Sequence, residues 1–429
     1  MKSFSARNER PIGIDLFAGA GGLSLGFEQA GFNVAAAVEI DPVHAAVHEF
    51  NFPECAVLCA DVSKVGGKTI RQAARIEGRQ VEVVFGGAPC QGFSLMGKRV
   101  LDDPRNKLLL EFLRLTVELD AQYFVFENVK GLTIGRHRQL LDELIEAFGE
   151  NGYDVVLPYQ VLNAANFGVP QSRHRLFLMG AKRGNALPSY PVSDSGAVTV
   201  WDAIGDLPDI ESEPHLLKSD SVDRAAYGRG SMYARQMHGL EREADDYAYD
   251  RAWDERRLTS SMRTEHTGIS QRRFLQTGPG EVEPISRFFK LDPNGICNTL
   301  RAGTGSDRGA FTSPRPIHPI YPRCISVREA ARLHSYPDWF RFHATKWHGF
   351  RQIGNSVPPR LGRAVASRIA AAAGISPVKP HTKKNLGQES LLTLNMTEAA
   401  RHFSVSRHVA GRRTKIPVGA ADQLELIAS

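Results

Sequence analysis

The sequence predicts an α/β fold, with a doubly wound, mostly parallel sheet, a smaller irregular lobe that contains β-structure, and a helical C-terminal tail. Across the first 180 residues, short apolar runs alternate with helix-like segments, the pattern of a sheet covered by helices on both faces. A glycine-rich turn at residues 19–22 follows the first run, and the acidic Glu39 ends the second. Ligands of such folds bind at the carboxyl ends of the strands, so these residues mark the expected binding edge.

Five apolar runs are predicted as strands of the sheet: residues 12–17, 34–39, 81–86, 123–127 and 176–180. Asp41 before Pro42 predicts the start of a helix, because aspartate caps helix N-termini and proline suits the first helical position. Gly31 predicts the end of a helix over residues 22–30.

The alternation stops near residue 181, which predicts four parts in the chain. Residues 11–180 form the main domain, and residues 181–322 form a second lobe of loops and small strands, since Gly, Pro and polar residues interrupt every run. Residues 323–375 return to the main domain, with a capping box at Ser326 and Glu329. Residues 376–429 form a tail in which residues 395–407 look like a small helix-turn-helix.

Composition narrows the class of protein only a little. The 429 residues include 53 basic and 47 acidic side chains, and the net charge of +6 is compatible with a polyanionic partner without requiring one. The five cysteines form no CxxC pair and the histidines lack zinc-site spacing, so we expect no metal and no disulfide framework. No apolar signal core or membrane-length run is visible. We expect a cytoplasmic monomer without membrane contact.

The glycine-rich turn is compatible with three kinds of site. Backbone without side chains lets a ligand approach closely, and the Glu39 carboxylate can accept both ribose hydroxyl hydrogens of an adenosine, which suits S-adenosylmethionine. Gly19 and Gly21 followed by Glu39 also match part of a NAD fingerprint, although Ser24 occupies the third glycine position. A tight turn without any ligand is the third possibility.

Three further groups of residues lie next to predicted strands, at the same expected edge of the sheet. Cys90 follows the run 81–86, Glu127 ends the run 123–127, and Arg173 and Arg175 precede the run 176–180. A thiolate is a nucleophile, a buried carboxyl group can hold a proton, and arginine can hold an oxygen. Each residue alone also fits a structural role, such as packing or a solvated face. Their joint occurrence predicts one catalytic pocket.

Together these motifs resemble the DNA cytosine-5 methyltransferases of bacterial restriction-modification systems. The shared sequences are DLFAGAGG from Asp15, GAPCQGFS from Gly87, ENV from Glu127, QSRHR from Gln171 and GNSVP from Gly354, and they occur in the order of the family.

The resemblance implies transfer of a methyl group from S-adenosylmethionine to carbon 5 of a flipped cytosine in a specific duplex DNA sequence. Carbon 5 is too weak a nucleophile to react directly, so Cys90 first adds to carbon 6 and forms a covalent adduct. Glu127 then assists at ring nitrogen 3, while Arg175 holds the ring carbonyl oxygen and, together with Arg173, anchors the site.

The resemblance also implies which residues bind the two substrates, and it implies no metal. Cofactor contacts are expected from the glycine-rich turn and later segments: Phe17, Gly19, Gly21, Gly22, Glu39, Asp61, Pro89, Asn355 and Val357. DNA contacts are expected from a lid that follows Cys90 and from the second lobe: Gln91, Ser94, Arg99 and Thr299.

Residues 181–322 take the place of the family's target-recognition region. Residues 181–320 carry 18 basic and 20 acidic side chains, so local clusters must contact DNA. The tail, with eight basic and four acidic residues, is expected to be independent of catalysis and to form either a further DNA-binding unit or a packing pair of helices. A cognate restriction endonuclease acting separately is the implied partner. An RNA cytosine-5 methyltransferase on the same fold and a catalytically silent DNA-binding regulator remain as alternatives.

Overall fold

A computed structural model describes residues 10–89, 106–135, 137–193, 196–303 and 315–406. Its centre is an eight-stranded sheet with the order β3-β2-β1-β4-β5-β8-β6, in which β7 also pairs with β8. Strands β1 to β5 are parallel, and β8 is antiparallel to β5, β6 and β7. The strands, including a separate two-stranded pair of β9 and β10, are β1 Ile12–Leu16, β2 Asn33–Glu39, β3 Ala56–Cys59, β4 Val81–Gly86, β5 Tyr123–Val129, β6 Tyr153–Val155, β7 Gln160–Asn163, β8 His174–Lys182, β9 Asp250–Ala252 and β10 Lys383–Asn385.

Twelve α-helices accompany these strands in the described part of the chain. They are α1 Gly22–Gln29, α2 Pro42–Asn51, α3 Gly67–Ala73, α4 Lys107–Glu118, α5 His137–Glu150, α6 Val200–Ile204, α7 Met232–His238, α8 Gly268–Gln276, α9 Val327–Leu333, α10 Lys346–Asn355, α11 Pro359–Ala372 and α12 Met396–His402. Over the residues described, none of these helices has the length and apolar character needed to cross a bilayer.

The predicted α/β fold is confirmed, and local sequence signals account for it. All five predicted strands form, because their apolar side chains fill two hydrophobic clusters on opposite faces of the sheet. Asp41 caps α2 by accepting from the backbone N–H groups of Val43 and His44. The capping box at Ser326 and Glu329 opens α9 as expected.

The return of the chain to the main domain depends on a close helix crossing. Helix α11 packs on α1, where Gly26 and Gly362 face each other. A Cβ atom at Gly26 would lie 2.7 Å from the backbone of Gly362, so only glycine permits this approach. The crossing brings the segment before α11 beside the glycine-rich turn.

The second lobe differs from its prediction in secondary structure. Residues 181–322 were expected to hold loops and small strands, but the described part contains α6, α7 and α8 and one three-residue strand, β9. Side-chain capping by Thr199, Ser231 and Thr267 starts these helices, a signal that polar composition had hidden. Part of the lobe also contributes Val200, Tyr233 and other residues to the largest cluster of the main domain, so its core is continuous with the sheet.

The described part of the tail, residues 376–406, packs against two other parts of the chain. Strand β10 pairs with β9 of the second lobe, and α12 packs on α2 of the main domain. Helix α12 begins with a capping box at Asn395 and Glu398, at the start of the predicted helix-turn-helix. The predicted helix-turn-helix covers residues 395–407, and over its described residues, 395–406, the structure has one helix, α12; residue 407 lies outside the described part of the chain.

Candidate active site

The candidate active site lies where β4 and β5 end and β8 begins. Because β8 is antiparallel to β5, Arg175 at its start lies opposite Val129 at the end of β5, and Phe177 lies opposite Glu127. Three segments that are distant in sequence therefore meet at one edge of the sheet, as the motif analysis predicted.

Glu127 and Arg175 form an ion pair at this edge. The distance between Arg175 Nε and Glu127 Oε1 is 2.9 Å, and both side chains are largely buried. Gly87 makes room for the carboxyl group, since a Cβ atom there would lie 2.4 Å from Glu127 Oε2. Burial raises the pKa of Glu127 above its ordinary value, although Arg175 and Arg173 oppose that shift. The site therefore favours a carboxyl group that can hold a proton.

Arg173 is fully buried and joins three segments of the site. Its guanidinium donates to the carbonyl oxygens of Leu300 at 3.0 Å, Gly354 at 2.8 Å and Ser356 at 2.7 Å. Burial lowers the pKa of Arg173. Arg173 thus fixes the return segment and the end of the second lobe against β8, whereas Arg175 points its charge at Glu127.

The neighbour of Glu127 holds the segment that leads to Cys90. Asn128 Nδ2 donates to the carbonyl oxygen of Ala88 at 2.9 Å, and Pro89 beside it is exposed. No role was predicted for Asn128, although an asparagine in a buried strand is unfavourable unless its amide forms hydrogen bonds. The predicted site residues Cys90, Gln91, Ser94 and Arg99 lie outside the described residues.

The backbone of the glycine-rich turn has positive φ angles, as its glycines suggest. Phe17, at the end of β1, has a positive φ of 64°, and Gly19 and Gly21 have φ values of 56° and 99°. Space beside Gly19 is open, because no atom lies within 4 Å of a Cβ built there. Gly22 instead faces a tight contact, with a built Cβ only 2.6 Å from the carbonyl oxygen of Val357.

Glu39 is held beside this turn by two backbone groups. Its Oε2 accepts from Gly19 N at 2.7 Å, and its Oε1 accepts from Asp41 N at 2.8 Å. Each carboxylate oxygen has two lone pairs, so the group can accept two further hydrogen bonds from a ligand. Asp61, after β3, accepts from Ser63 N through Oδ1, which leaves Oδ2 for a ligand.

Beneath the turn lies a buried polar chain that the sequence analysis missed. Ser24 Oγ donates to Asp15 Oδ2 at 2.6 Å and lies 3.1 Å from His48 Nε2. Burial raises the pKa of Asp15 to about 8 and lowers that of His48 to about 3. The sequence did contain a signal for these contacts, namely a polar residue at each of three core positions, because buried polar groups need hydrogen-bond partners.

The remaining predicted residues lie around the same edge. Thr299 Oγ1 donates to the carbonyl oxygen of Ser172 at 2.6 Å, which ties the second lobe to the segment before Arg173. Asn355 at the end of α10 is exposed, and Val357 is buried against Gly22. Among the residues that the structure describes, no group of His, Cys, Asp and Glu side chains could hold a metal ion.

Comparison with known proteins gives concordant matches. Residues 13–371 match the family model of C-5 cytosine-specific DNA methylases. The chain is 61% identical over 406 residues to the type II methyltransferase M.XorII of Xanthomonas oryzae pv. oryzae, with 95% of each chain covered. It is 34% identical over 359 residues to the type II methyltransferase M1.HphI of Haemophilus parahaemolyticus, with 83% of this chain and 86% of that protein covered.

Solved structures show the same fold. A prophage-encoded protein of E. coli, described as a DNA modification methyltransferase, superposes with a TM-score of 0.68 at 33% identity and covers 85% of this chain and 99% of its own. The Dnmt2 methyltransferase of S. pombe superposes with a TM-score of 0.51 at 16% identity, which is a likeness of fold alone, and the alignment covers 85% of this chain and all of that protein.

Proposed function

The chain belongs to the C-5 cytosine-specific DNA methylase family, and from this premise we propose that Cys90, Glu127 and Arg175 carry out methyl transfer to carbon 5 of a cytosine flipped out of duplex DNA. The enzyme class, a DNA (cytosine-5-)-methyltransferase, follows from the family. The roles of individual residues are our proposal, and the observation that carries it is the buried Glu127–Arg175 pair at the edge where the Cys90 segment begins.

The chemistry assigns one task to each group. The Cys90 thiolate adds to carbon 6, which places negative charge on the ring. Glu127 meets that charge at nitrogen 3 with a proton or a strong hydrogen bond, and its raised pKa supports this role. Arg175 donates to the ring carbonyl oxygen. After methyl transfer, a base removes the proton from carbon 5, the carbon–sulfur bond breaks, and the thiolate leaves.

The residues around the glycine-rich turn fit S-adenosylmethionine, which supplies an electrophilic methyl group when bound. Open space at Gly19 leaves room for a ligand, and Glu39 keeps free lone pairs for the two ribose hydroxyl groups. Oδ2 of Asp61 can accept from the adenine amino group. Phe17, Gly21, Gly22, Pro89, Asn355 and Val357 complete the proposed set of cofactor contacts. We propose no metal.

Residues 181–322 supply sequence recognition in this proposal, and Thr299 contacts the backbone of the flipped nucleotide. The lid residues Gln91, Ser94 and Arg99 complete the DNA contacts. High identity to a type II methyltransferase over almost the whole chain supports a role in protecting DNA from a separate cognate endonuclease. We further propose a monomeric enzyme of the cytoplasm.

A trapping experiment tests the proposal directly. Duplex DNA from a library that contains 5-fluorocytosine should form a covalent adduct with the protein in the presence of the methyl donor, because fluorine cannot leave as a proton does. Cys90→Ser should form no adduct and transfer no methyl group. Adduct formation by Cys90→Ser, or methylation by it at the wild-type rate, would refute the assignment.

Parallel assays with labelled donor on duplex DNA and on transfer RNA separate the DNA activity from the RNA alternative. We expect label in DNA only, since the chain matches the model of C-5 cytosine-specific DNA methylases, its relatives with substantial identity are named type II methyltransferases, and the Dnmt2 likeness concerns only the fold. Bisulfite sequencing of DNA from cells that express the protein then identifies the methylated site.

A further inference from the structure

The tail segment, residues 376–406, packs against the back of the proposed cofactor site. Its Leu391 and Leu392 are 7% and 1% exposed. They belong to one hydrophobic cluster with Ala20 of the glycine-rich turn and with three residues of α2, namely Ala46, Val47 and Phe50. A turn that would contact the methyl donor therefore shares a small core with two leucines from the tail segment.

Polar contacts fix the tail segment at both sides of this cluster. Gly387 N donates to the carbonyl oxygen of Phe50 at 2.8 Å, at the end of α2. The carbonyl oxygen of Leu392 accepts from Ala344 N at 2.9 Å. Further along, His402 Nε2 lies 2.9 Å from Glu49 Oε2. The segment is thus held along the C-terminal half of α2, and its position is determined by backbone bonds as well as by burial.

Helix α2 and the turn are the two elements that place the carboxylate of Glu39. Gly19 N binds one oxygen of that carboxylate, and Asp41 N, at the start of α2, binds the other. Ala20 lies between Gly19 and Gly21 in the sequence, so support at Ala20 limits movement of the donor groups on either side. A displaced α2 or turn would move Glu39 away from a bound ribose.

We infer that Leu391 and Leu392 are positioning residues for the methyl-donor site, which they support through Ala20 and α2. The inference rests on the proposed function, because it concerns the same cofactor site. In the family model the match ends at residue 371, so this contribution comes from a part of the chain beyond the shared domain. The tail would act on binding of the methyl donor rather than on the chemical step.

Substitution of Leu392 by alanine in the full-length protein tests this inference. We expect the Kd and KM for S-adenosylmethionine to rise about five- to tenfold, while kcat and the KM for DNA change less than about twofold. Leu216→Ala is the matched control, because Leu216 is equally buried in a small cluster of the second lobe that contains no residue of the cofactor turn. It should lower thermal stability without changing the affinity for the methyl donor.

Amide hydrogen exchange gives a readout that does not require catalysis. The amides of Gly19 and Gly21 are hydrogen-bonded, to Glu39 and to the Ala18 carbonyl oxygen, and should exchange faster in Leu392→Ala but not in Leu216→Ala. Leu392→Val serves if the alanine variant does not fold. Unchanged donor affinity in the tail variant, or an equal change in Leu216→Ala, overturns the inference. Failure of the wild-type protein to bind the donor would instead refute the proposed function.

Discussion

Glu127 at the catalytic edge and Asp338 in the return segment are both buried beside arginines, yet their pKa values shift in opposite directions. Burial raises the pKa of Glu127, and its arginine neighbours do not outweigh that effect. Burial acts the same way on Asp338, but Arg332, His238 and Arg328 together outweigh it and lower the pKa. One region keeps a carboxyl group that can exchange a proton, and the other keeps a permanent negative charge.

The geometry explains the difference. Arg175 Nε lies 2.9 Å from Glu127 Oε1, and Nη1 of the same guanidinium donates to the His174 carbonyl oxygen at 2.8 Å. Arg332 instead donates to both oxygens of Asp338, each at 2.6 Å, and His238 adds a third contact at 3.1 Å. Bidentate pairing and a third partner fix the charge of Asp338, whereas burial dominates at Glu127 and leaves it able to change its protonation state. The comparison predicts separate effects on activity and on stability.

Glu127→Gln should give the largest effect, and it should fall on activity. An amide cannot supply a proton at ring nitrogen 3, so kcat should fall by about 10²- to 10⁴-fold. Stability at neutral pH should not fall, because a carboxyl group with a raised folded pKa destabilises the folded state once the pH exceeds its unfolded pKa. Steady-state methylation and urea unfolding measure the two quantities.

Glu82→Gln provides the matched control for that experiment. Glu82 is half-buried on the neighbouring strand β4, and burial likewise raises its pKa. Its substitution should leave methyl transfer near the wild-type rate. If Glu127→Gln and Glu82→Gln lose equal amounts of methyl-transfer activity, the carboxyl group of Glu127 has no specific role in catalysis.

Asp338→Asn should have the opposite profile and lower stability by about 3–5 kcal/mol, because it leaves Arg332 buried without its bidentate partner. Arg332 also contacts Asp206 of the second lobe. Because Asp338 holds Arg332 in place, its substitution should also weaken the packing of the second lobe. Chemical denaturation measures the loss. Asp154→Asn, which removes an exposed pair with Arg183, should change stability by less than about 1 kcal/mol. If Asp338→Asn lowers stability only slightly, the Arg332–Asp338 pair does not hold the second lobe in place.

The pH dependence of stability offers a smaller and more specific test at Glu329. Burial would raise its pKa, but bidentate pairing with Arg323 lowers it from 4.5 to about 2. A lowered folded pKa gives stability that is present above the unfolded pKa and is lost as the pH falls from about 4.5 towards 2. Glu329→Gln should therefore be less stable than wild type at pH 7, and the difference should narrow in acid. Parallel curves over that range would contradict the assignment.

Much of the fold was predictable from short stretches of sequence. A run of apolar residues in the sequence predicts each of five strands, namely β1, β2, β4, β5 and β8. The start of α2 at Asp41 and of α9 at Ser326 depends on side chains within three positions of the helix end. These signals lie within or next to each element, so they can be recognised without knowing which other elements pack against it.

The second lobe was less predictable, because its helices are short and mostly polar. Helix α7 has seven residues and begins at a single capping serine, Ser231, in a region rich in charge and glycine. The order of the motifs indicated that Glu127, Arg173 and Arg175 converge, but it could not distinguish the anchor from the charge partner. Only the structure shows that Arg173 holds three carbonyl oxygens while Arg175 pairs with Glu127.

The sequence by itself determined five strands of the sheet, the glycine-rich turn and the starts of α2 and α9, because each depends on neighbours along the chain. The tertiary structure alone decided the direction in which each buried carboxyl group titrates, the bridge made by Arg173 and the support of the turn by Leu391 and Leu392. Those properties depend on burial and on partners as far apart as Arg332 and Asp206, which are 126 positions distant in sequence. Desolvation and charge pairing act through space, so only the folded chain reveals them.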